Sequence, residues 1–194
     1  NLDSEDEGLL FAGCAGGLDV NVKLEYKDQE PTPEGDIAVR ISLTGLRGGH
    51  SGMDIILGRA NANKQLVRFL KEAIASYGAR LVHLEGGSAR NAIPREAFAL
   101  VTIPEAEADG LWEFASDFLD TLQTEYKNIE DGISLSLERT DLPKTVIPEE
   151  IQDGVIGALD ACINGVQSML TDFPGIVESS TNMAKIFVGD GTFT

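Results

Sequence analysis

Positive charge is what this chain has least of. Lys and Arg number 15 against 32 Asp and Glu, a formal net charge of −17 over 194 residues. So acidic a surface repels phosphate backbones, which excludes nucleic acid as a partner; it suits cations without naming one. No apolar run approaches the roughly 18–20 residues that cross a bilayer, so no membrane partner is expected either. Asn1-Leu2-Asp3-Ser4-Glu5-Asp6-Glu7 is acidic and lacks an apolar core, so it does not read as a secretory signal. Cys14 and Cys162 are too few and too far apart for a disulfide framework or a zinc knuckle. They read as reduced thiols of a cytoplasmic protein. Only two histidines occur, so the place of each matters. A hydrophobic content of 42% is ordinary for a globular chain, and the length fits one domain or a little more.

What is present is regular. Leu18, Val20, Val22, Leu24 and Tyr26 alternate with Asp19, Asn21, Lys23 and Glu25, the period of two of a half-buried strand. Pro31 and Pro33 mark a loop at 29–35. Ile37, Val39, Ile41 and Leu43 alternate again, and the two strands are expected to pair antiparallel. Between 58 and 77, Ala62, Leu66, Phe69, Ala73 and Tyr77 fall three or four apart, one face of a helix. Gly78 ends it in the position that favours a left-handed residue. Strands are expected at 80–85 and 96–103, a helix at 104–128, a strand at 133–137, a helix at 148–162 and a last strand at 175–188. Pro104 opens the second helix, with Glu105 and Glu107 near the positive end of its dipole. Gly189-Asp190-Gly191 reads as a hairpin turn whose second strand has barely started, so the chain reads as a piece of a longer protein.

Counted from Ile37, the order is strand, helix, strand, strand, helix, strand. It predicts an α+β fold: a two-layer sandwich, split βαβ (ferredoxin-like), with helices on one face of an antiparallel sheet.

Several residue groups could carry chemistry. Arg47-Gly48-Gly49-His50-Ser51-Gly52 follows the second strand, and its glycines let the backbone turn sharply and run close to other groups. His50, at the tip, is placed to meet a ligand; otherwise it is a polar residue filling a Gly-rich turn. His83, inside a strand, reads as packed. Asp3, Glu5, Asp6 and Glu7 offer hard oxygen donors to a divalent metal, or form solvated surface. In the loop at 86–94, Arg90 and Asn91 suit a carboxylate or an amide, unless Asn91 only shapes the turn. Arg59, Asn61 and Asn63 flank or cap the first helix. No nucleophile elbow, Walker loop or dinucleotide fingerprint is present.

Longer segments carry a resemblance. They are Asn1-Leu2-Asp3-Ser4-Glu5, Gly13-Cys14-Ala15-Gly16-Gly17, Leu46-Arg47-Gly48-Gly49-His50-Ser51-Gly52, and Gly58-Arg59-Ala60-Asn61-Ala62-Asn63-Lys64. Gly86-Gly87-Ser88-Ala89-Arg90-Asn91-Ala92-Ile93-Pro94-Arg95-Glu96-Ala97 and Gly175-Ile176-Val177-Glu178-Ser179-Ser180-Thr181-Asn182 complete the set. Together they resemble the aminoacyl-histidine dipeptidases, dizinc hydrolases of the bacterial cytosol related to carnosinases, aminoacylases and glutamate carboxypeptidases.

The resemblance implies a metal-binding catalytic domain interrupted by a lid, or dimerisation, domain. It implies that residues 17–174 are the lid, with catalytic-domain stubs at 1–16 and 175–194. Asp3 matches a carboxylate that binds one of two zinc ions, with manganese or cobalt as alternatives. His50 matches the lid histidine that reaches into the partner subunit's active site and helps stabilise the oxyanion. Asn91 matches a lid asparagine near the substrate. A cytoplasmic homodimer joined through the lid is implied, acting on dipeptides including Xaa-His. The other metal ligands and the proton-shuttling glutamate fall outside this chain, so alone it is expected to be inactive and to hold no zinc tightly. Two other readings are a lid of a related aminoacylase or carboxypeptidase, and a non-catalytic dimerisation module.

Overall fold

The alternating residues at 37–43 form the middle of a long antiparallel sheet. The structure, a computed structural model, describes residues 7–10 and 15–194. Two short strands come first, β1 (Leu24–Glu25) and β2 (Glu30–Pro31), then β3 (Asp36–Thr44) and β4 (Gly49–His50). Helix α1 (Ala62–Tyr77) leads to β5 (Arg80–Gly86), β6 (Ala92–Ile93) and β7 (Ala97–Pro104). Next come α2 (Ala108–Glu125), β8 (Ser134–Thr140), β9 (Thr145–Val146) and α3 (Glu149–Ala161). The last strands are β10 (Gly165–Met169), β11 (Val177–Thr181), β12 (Ile186–Gly189) and β13 (Thr192–Phe193).

The main sheet runs β1-β13-β12-β5-β7-β3-β8, every pair antiparallel. Within it, β8-β3-β7-β5 joined through α1 and α2 is the predicted split βαβ arrangement. One face carries the core. Val39, Ile41 and Leu43 of β3 and Val101 and Ile103 of β7 are fully buried there. Leu66, Phe69 and Leu70 of α1 and Leu111 and Leu122 of α2 complete the layer. Arg40 and Ser42, the alternate residues of β3, point to the opposite face. Phe69 stacks on Phe114 at 5.0 Å between centroids and meets Phe118 edge-on at 5.4 Å, locking α1 to α2.

Helix ends are tied by side chains. Asn61 caps α1, its Oδ1 accepting the Lys64 N–H at 3.2 Å, and Gly78 stops it at φ 64°. Lys64 Nζ then donates to the carbonyls of Leu159, Asp160 and Cys162 at 3.0, 2.8 and 2.8 Å. One ammonium thus satisfies the last carbonyls of α3 at the negative end of its dipole. Lys64→Met keeps the stem and removes those bonds, and is expected to cost about 2 kcal/mol in urea denaturation of the chain.

Arg68 of α1 grips Glu125 of α2 with two bonds, at 2.7 and 2.9 Å. The guanidinium holds the Glu125 carboxyl below its ordinary value. A carboxyl depressed on folding stabilises fully above its unfolded pKa and loses that contribution as pH falls through its folded one. Stability measured from about pH 6 down to about pH 3 should therefore fall more steeply in the wild type than in Glu125→Gln.

Three expectations need correction. The alternation at 18–26 yields only the two-residue β1, which pairs with β13 and not with β3. Leu18, Val20 and Val22 are 88, 76 and 60% exposed, because alternation supplies a face but a strand also needs a ladder partner. The expected strand at 175–188 is two strands, β11 and β12. Asn182 and Met183 interrupt it, their polar groups engaged by asparagine side chains instead of a ladder. β11 pairs locally with β10, a strand that the sequence pattern did not reveal. The first helix also starts later than position 58, at its Asn61 cap, after a 3-10 turn at Ile55–Leu57. Cys162 is an exposed free thiol, and Cys14 lies outside the described residues. Among the described residues no helix is long and apolar enough to cross a membrane.

Candidate functional site

The loop from Arg47 to Ala60 carries His50, and its two ends are pinned by one carboxylate. Glu130, only 4% exposed, accepts the Arg47 N–H at 2.7 Å on Oε2 and the Ala60 N–H at 3.0 Å on Oε1. Arg47 itself bonds Asp131 at 3.0 Å, and that hydrogen bond holds the Asp131 carboxyl below its ordinary range. Gly45 and Gly132 allow this approach. Gly45 adopts φ 79°, and a Cβ on it would overlap the Gly132 carbonyl.

Inside the loop the backbone is wrapped around an ion pair. Asp54 Oδ2 accepts the His50 N–H at 2.8 Å and lies 3.4 Å from Arg59 Nη1. Arg59 Nη1 donates to the Gly48 carbonyl at 2.5 Å. Gly49, at φ 142°, passes so close that a Cβ would overlap both side chains. The glycines of this turn are thus required by close approach as well as by conformation.

The imidazole is oriented by the backbone that follows it. His50 Nδ1 accepts the Gly52 and Met53 N–H groups at 3.0 and 3.1 Å. With Nδ1 an acceptor, the neutral ring carries its proton on Nε2. His50 is exposed, so Nε2–H is offered outward from the tip. Met53, Ile56 and Leu57, on the same loop, are exposed apolar residues.

Asn91 lies beside it. β4 pairs with β6, setting Gly49 opposite Ile93 and His50 opposite Ala92, and Ser51 N–H donates to the Asn91 carbonyl at 2.9 Å. The Asn91 residue is exposed. Its neighbour Arg90 is bound to Asp19 at 2.5 Å, an exposed pair of little energetic consequence. A groove of about 730 Å³ lies alongside, lined by Arg47, Gly49, Gly87, Ala92, Arg95 and Lys185 among others. The structure thus brings His50 and Asn91 to one edge, while His83 stands apart in β5, edge-on to Phe187 at 5.1 Å. Of the acidic cluster, Asp3, Glu5 and Asp6 lie outside the described residues, and Glu7 is exposed.

Among the described residues no group of three or more His, Cys, Asp or Glu could hold a metal ion. These residues do not by themselves fit a metal site. Reading along the sequence missed Glu130, Asp54 and Asn182, which position the loop. Glu130 sits in the polar run Asn128-Ile129-Glu130-Asp131-Gly132, which looks like any surface turn. The Asp54–Arg59 spacing and the neighbouring glycines were the only local hint of the second.

Residues 41–130 match the peptidase dimerisation domain family. The chain is 37% identical, over 190 residues and 98% of its length, to the cytosol non-specific dipeptidase of Escherichia coli (strain K12). Its fold superposes on the aminoacylhistidine dipeptidase from Vibrio alginolyticus with a TM-score of 0.85 and 38% identity, over 88% of this chain. It spans 39% of the first of those proteins and 35% of the second. Over residues 41–130 the sequence thus matches an M20 peptidase dimerisation domain, and the fold is similar to that of the Vibrio alginolyticus dipeptidase structure.

Proposed function

We propose that this chain is the lid, or dimerisation, domain of a metal-dependent dipeptidase that cleaves Xaa-His and other dipeptides. In this reading residues 17–174 form the lid, and 1–16 and 175–194 are stubs of the catalytic domain. One observation carries it: two backbone N–H groups hold His50 Nδ1, so a neutral Nε2–H projects from an exposed tip. A donor fixed in tautomer and direction, with no acceptor of its own among the described residues, suits an oxyanion that forms on a neighbouring molecule. In a homodimer joined through the lid, that oxyanion belongs to a dipeptide in the partner subunit's active site. Asn91, on the same edge, would bind the substrate's amide or carboxylate with its side-chain amide.

The metal of such an enzyme, two zinc ions by the family resemblance, would supply Lewis-acid polarisation of the scissile carbonyl. Asp3 would be the one ligand from this chain, and the rest of the protein would supply the others. Three or four ligands are needed for a tight site, so the chain alone is expected to be inactive. A cytoplasmic location accords with the cytosolic relative.

The test is made on the full-length protein, with a dipeptide panel that includes Xaa-His, assayed with and without chelator beside His50→Ala. Chelator-sensitive cleavage with kcat reduced about 10²–10³-fold in the variant supports the reading, the usual loss for one oxyanion donor. Wild-type turnover in His50→Ala removes His50 from the site. Failure to cleave any dipeptide overturns the reading altogether.

A further inference from the structure

We propose that Asn182 is a positioning residue for His50, acting through the Ala92 carbonyl. The proposal rests on the reading of His50 as a donor to the substrate.

Asn182 Nδ2 donates to the Ala92 carbonyl at 2.8 Å. Ala92 is the residue opposite His50 in the β4–β6 pair, and the adjoining Asn91 carbonyl accepts the Ser51 N–H. A two-residue ladder is too short to fix its own position. β6 is therefore gripped from two sides, by the His50 turn along one edge and by Asn182 along the other.

Asn182 is held in its turn. Its Oδ1 accepts from Asn61 Nδ2 at 3.1 Å. Asn61 is 2% exposed and caps α1 with its own Oδ1. Asn61 Nδ2 also faces Asn164 Oδ1 at 2.9 Å and the Met183 carbonyl at 3.1 Å, so its two N–H bonds are shared among three acceptors. Asn164 Oδ1 accepts the Met183 N–H at 3.0 Å, and Asn63 Nδ2 donates to the Met183 carbonyl at 3.1 Å. The direction of every bond is set. Asn182 must accept from Asn61 and donate to Ala92, which only a carboxamide of this length can do. Asp has no donor, Leu has neither group, and Gln is a methylene too long.

Four asparagines from distant parts of the chain thus anchor the His50 platform to the rigid N-terminus of α1 and to the crossing between β11 and β12. This explains why the chain breaks its strand at Asn182. Displacement of a catalytic donor by about 1 Å can cost up to about a hundredfold in rate, so the anchor should show in turnover.

The experiment is a double-mutant cycle in the full-length protein, with Tm and dimer fraction recorded beside kcat and KM. Asn182→Leu is expected to lower kcat about tenfold to a hundredfold with KM changed less than about threefold. Asn182→Asp keeps shape and acceptor but loses the bond to Ala92, and should lower kcat similarly if Leu impairs folding. In a His50→Ala background, either change should cost less than about twofold more. Equal losses in both backgrounds would overturn the proposal, because a merely structural asparagine acts regardless of His50. Wild-type kcat in the Asn182 variants, with His50→Ala collapsed, overturns the role of Asn182 and leaves that of His50. Wild-type kcat in His50→Ala overturns the reading of His50, and the proposal with it.

Discussion

Glu130→Ala is expected to destabilise the chain by roughly 3–5 kcal/mol, more than an ordinary surface loop change. The carboxylate is buried and takes one N–H from each end of the His50 loop, Arg47 and Ala60. Each bond to a charged acceptor contributes about 1.5–3 kcal/mol, and alanine leaves both amides without a partner. Glu130→Gln should fall between: its oxygen keeps one N–H while its amide turns a donor toward the other. Urea denaturation gives the free energies, with the slope checked so that a change in unfolded-state compactness is not mistaken for stability. Hydrogen exchange at Arg47 and Ala60 gives the local readout, since both amides should lose protection in Glu130→Ala and only one of them in Glu130→Gln. A Glu130→Ala chain within about 1 kcal/mol of wild type would show that water replaces the carboxylate at no cost.

What was legible in the sequence follows from the range of the forces involved. β3, α1, α2 and α3 are written in local periodicity, because each needs only its own apolar face to be specified. Their order was enough to place β8, β3, β7 and β5 in one sheet. The segment at 18–26 has the same periodicity as β3, yet stays outside the sheet except at Leu24–Glu25. Nothing within that segment says whether a partner strand will arrive. His50 and Asn91 were conspicuous as polar residues in glycine-rich turns, and they prove to share an edge. The residues that hold them there were not conspicuous. Glu130 acts on Arg47 across 83 residues and Asn182 on Ala92 across 90, and no local pattern encodes such pairs. Burial converts these ordinary polar residues into fixed points, and burial is a property of the finished fold.

Gly45→Ala is expected to be at least as damaging as loss of Glu130, and for a different reason. Gly45 ends β3 at φ 79°, a conformation that costs an L-residue about 1–2 kcal/mol before any contact is counted. Its Cβ would also overlap the Gly132 carbonyl, a backbone atom that cannot rotate away. Relief requires the start of β8 to part from the end of β3, where Thr44 pairs with Ser134. That movement carries Glu130 and Asp131 away from Arg47, so the clamp on the His50 loop opens too. The combined cost should reach about 4 kcal/mol or more, a Tm fall of over about 10 °C for a chain of this size. Gly132→Ala makes a useful contrast. Its Cβ would lie 2.7 Å from the Gly45 carbonyl, a closer contact than real Cβ atoms make, but Gly132 has no left-handed backbone to strain. It should therefore cost less than Gly45→Ala. Equal Tm falls for the two variants would mean that steric overlap alone governs this corner. In the full-length protein, turnover should fall with the clamp in Gly45→Ala even at temperatures where the variant remains folded. The same two glycines then set both the stability of the sheet corner and the closure of the Glu130 clamp on the His50 loop.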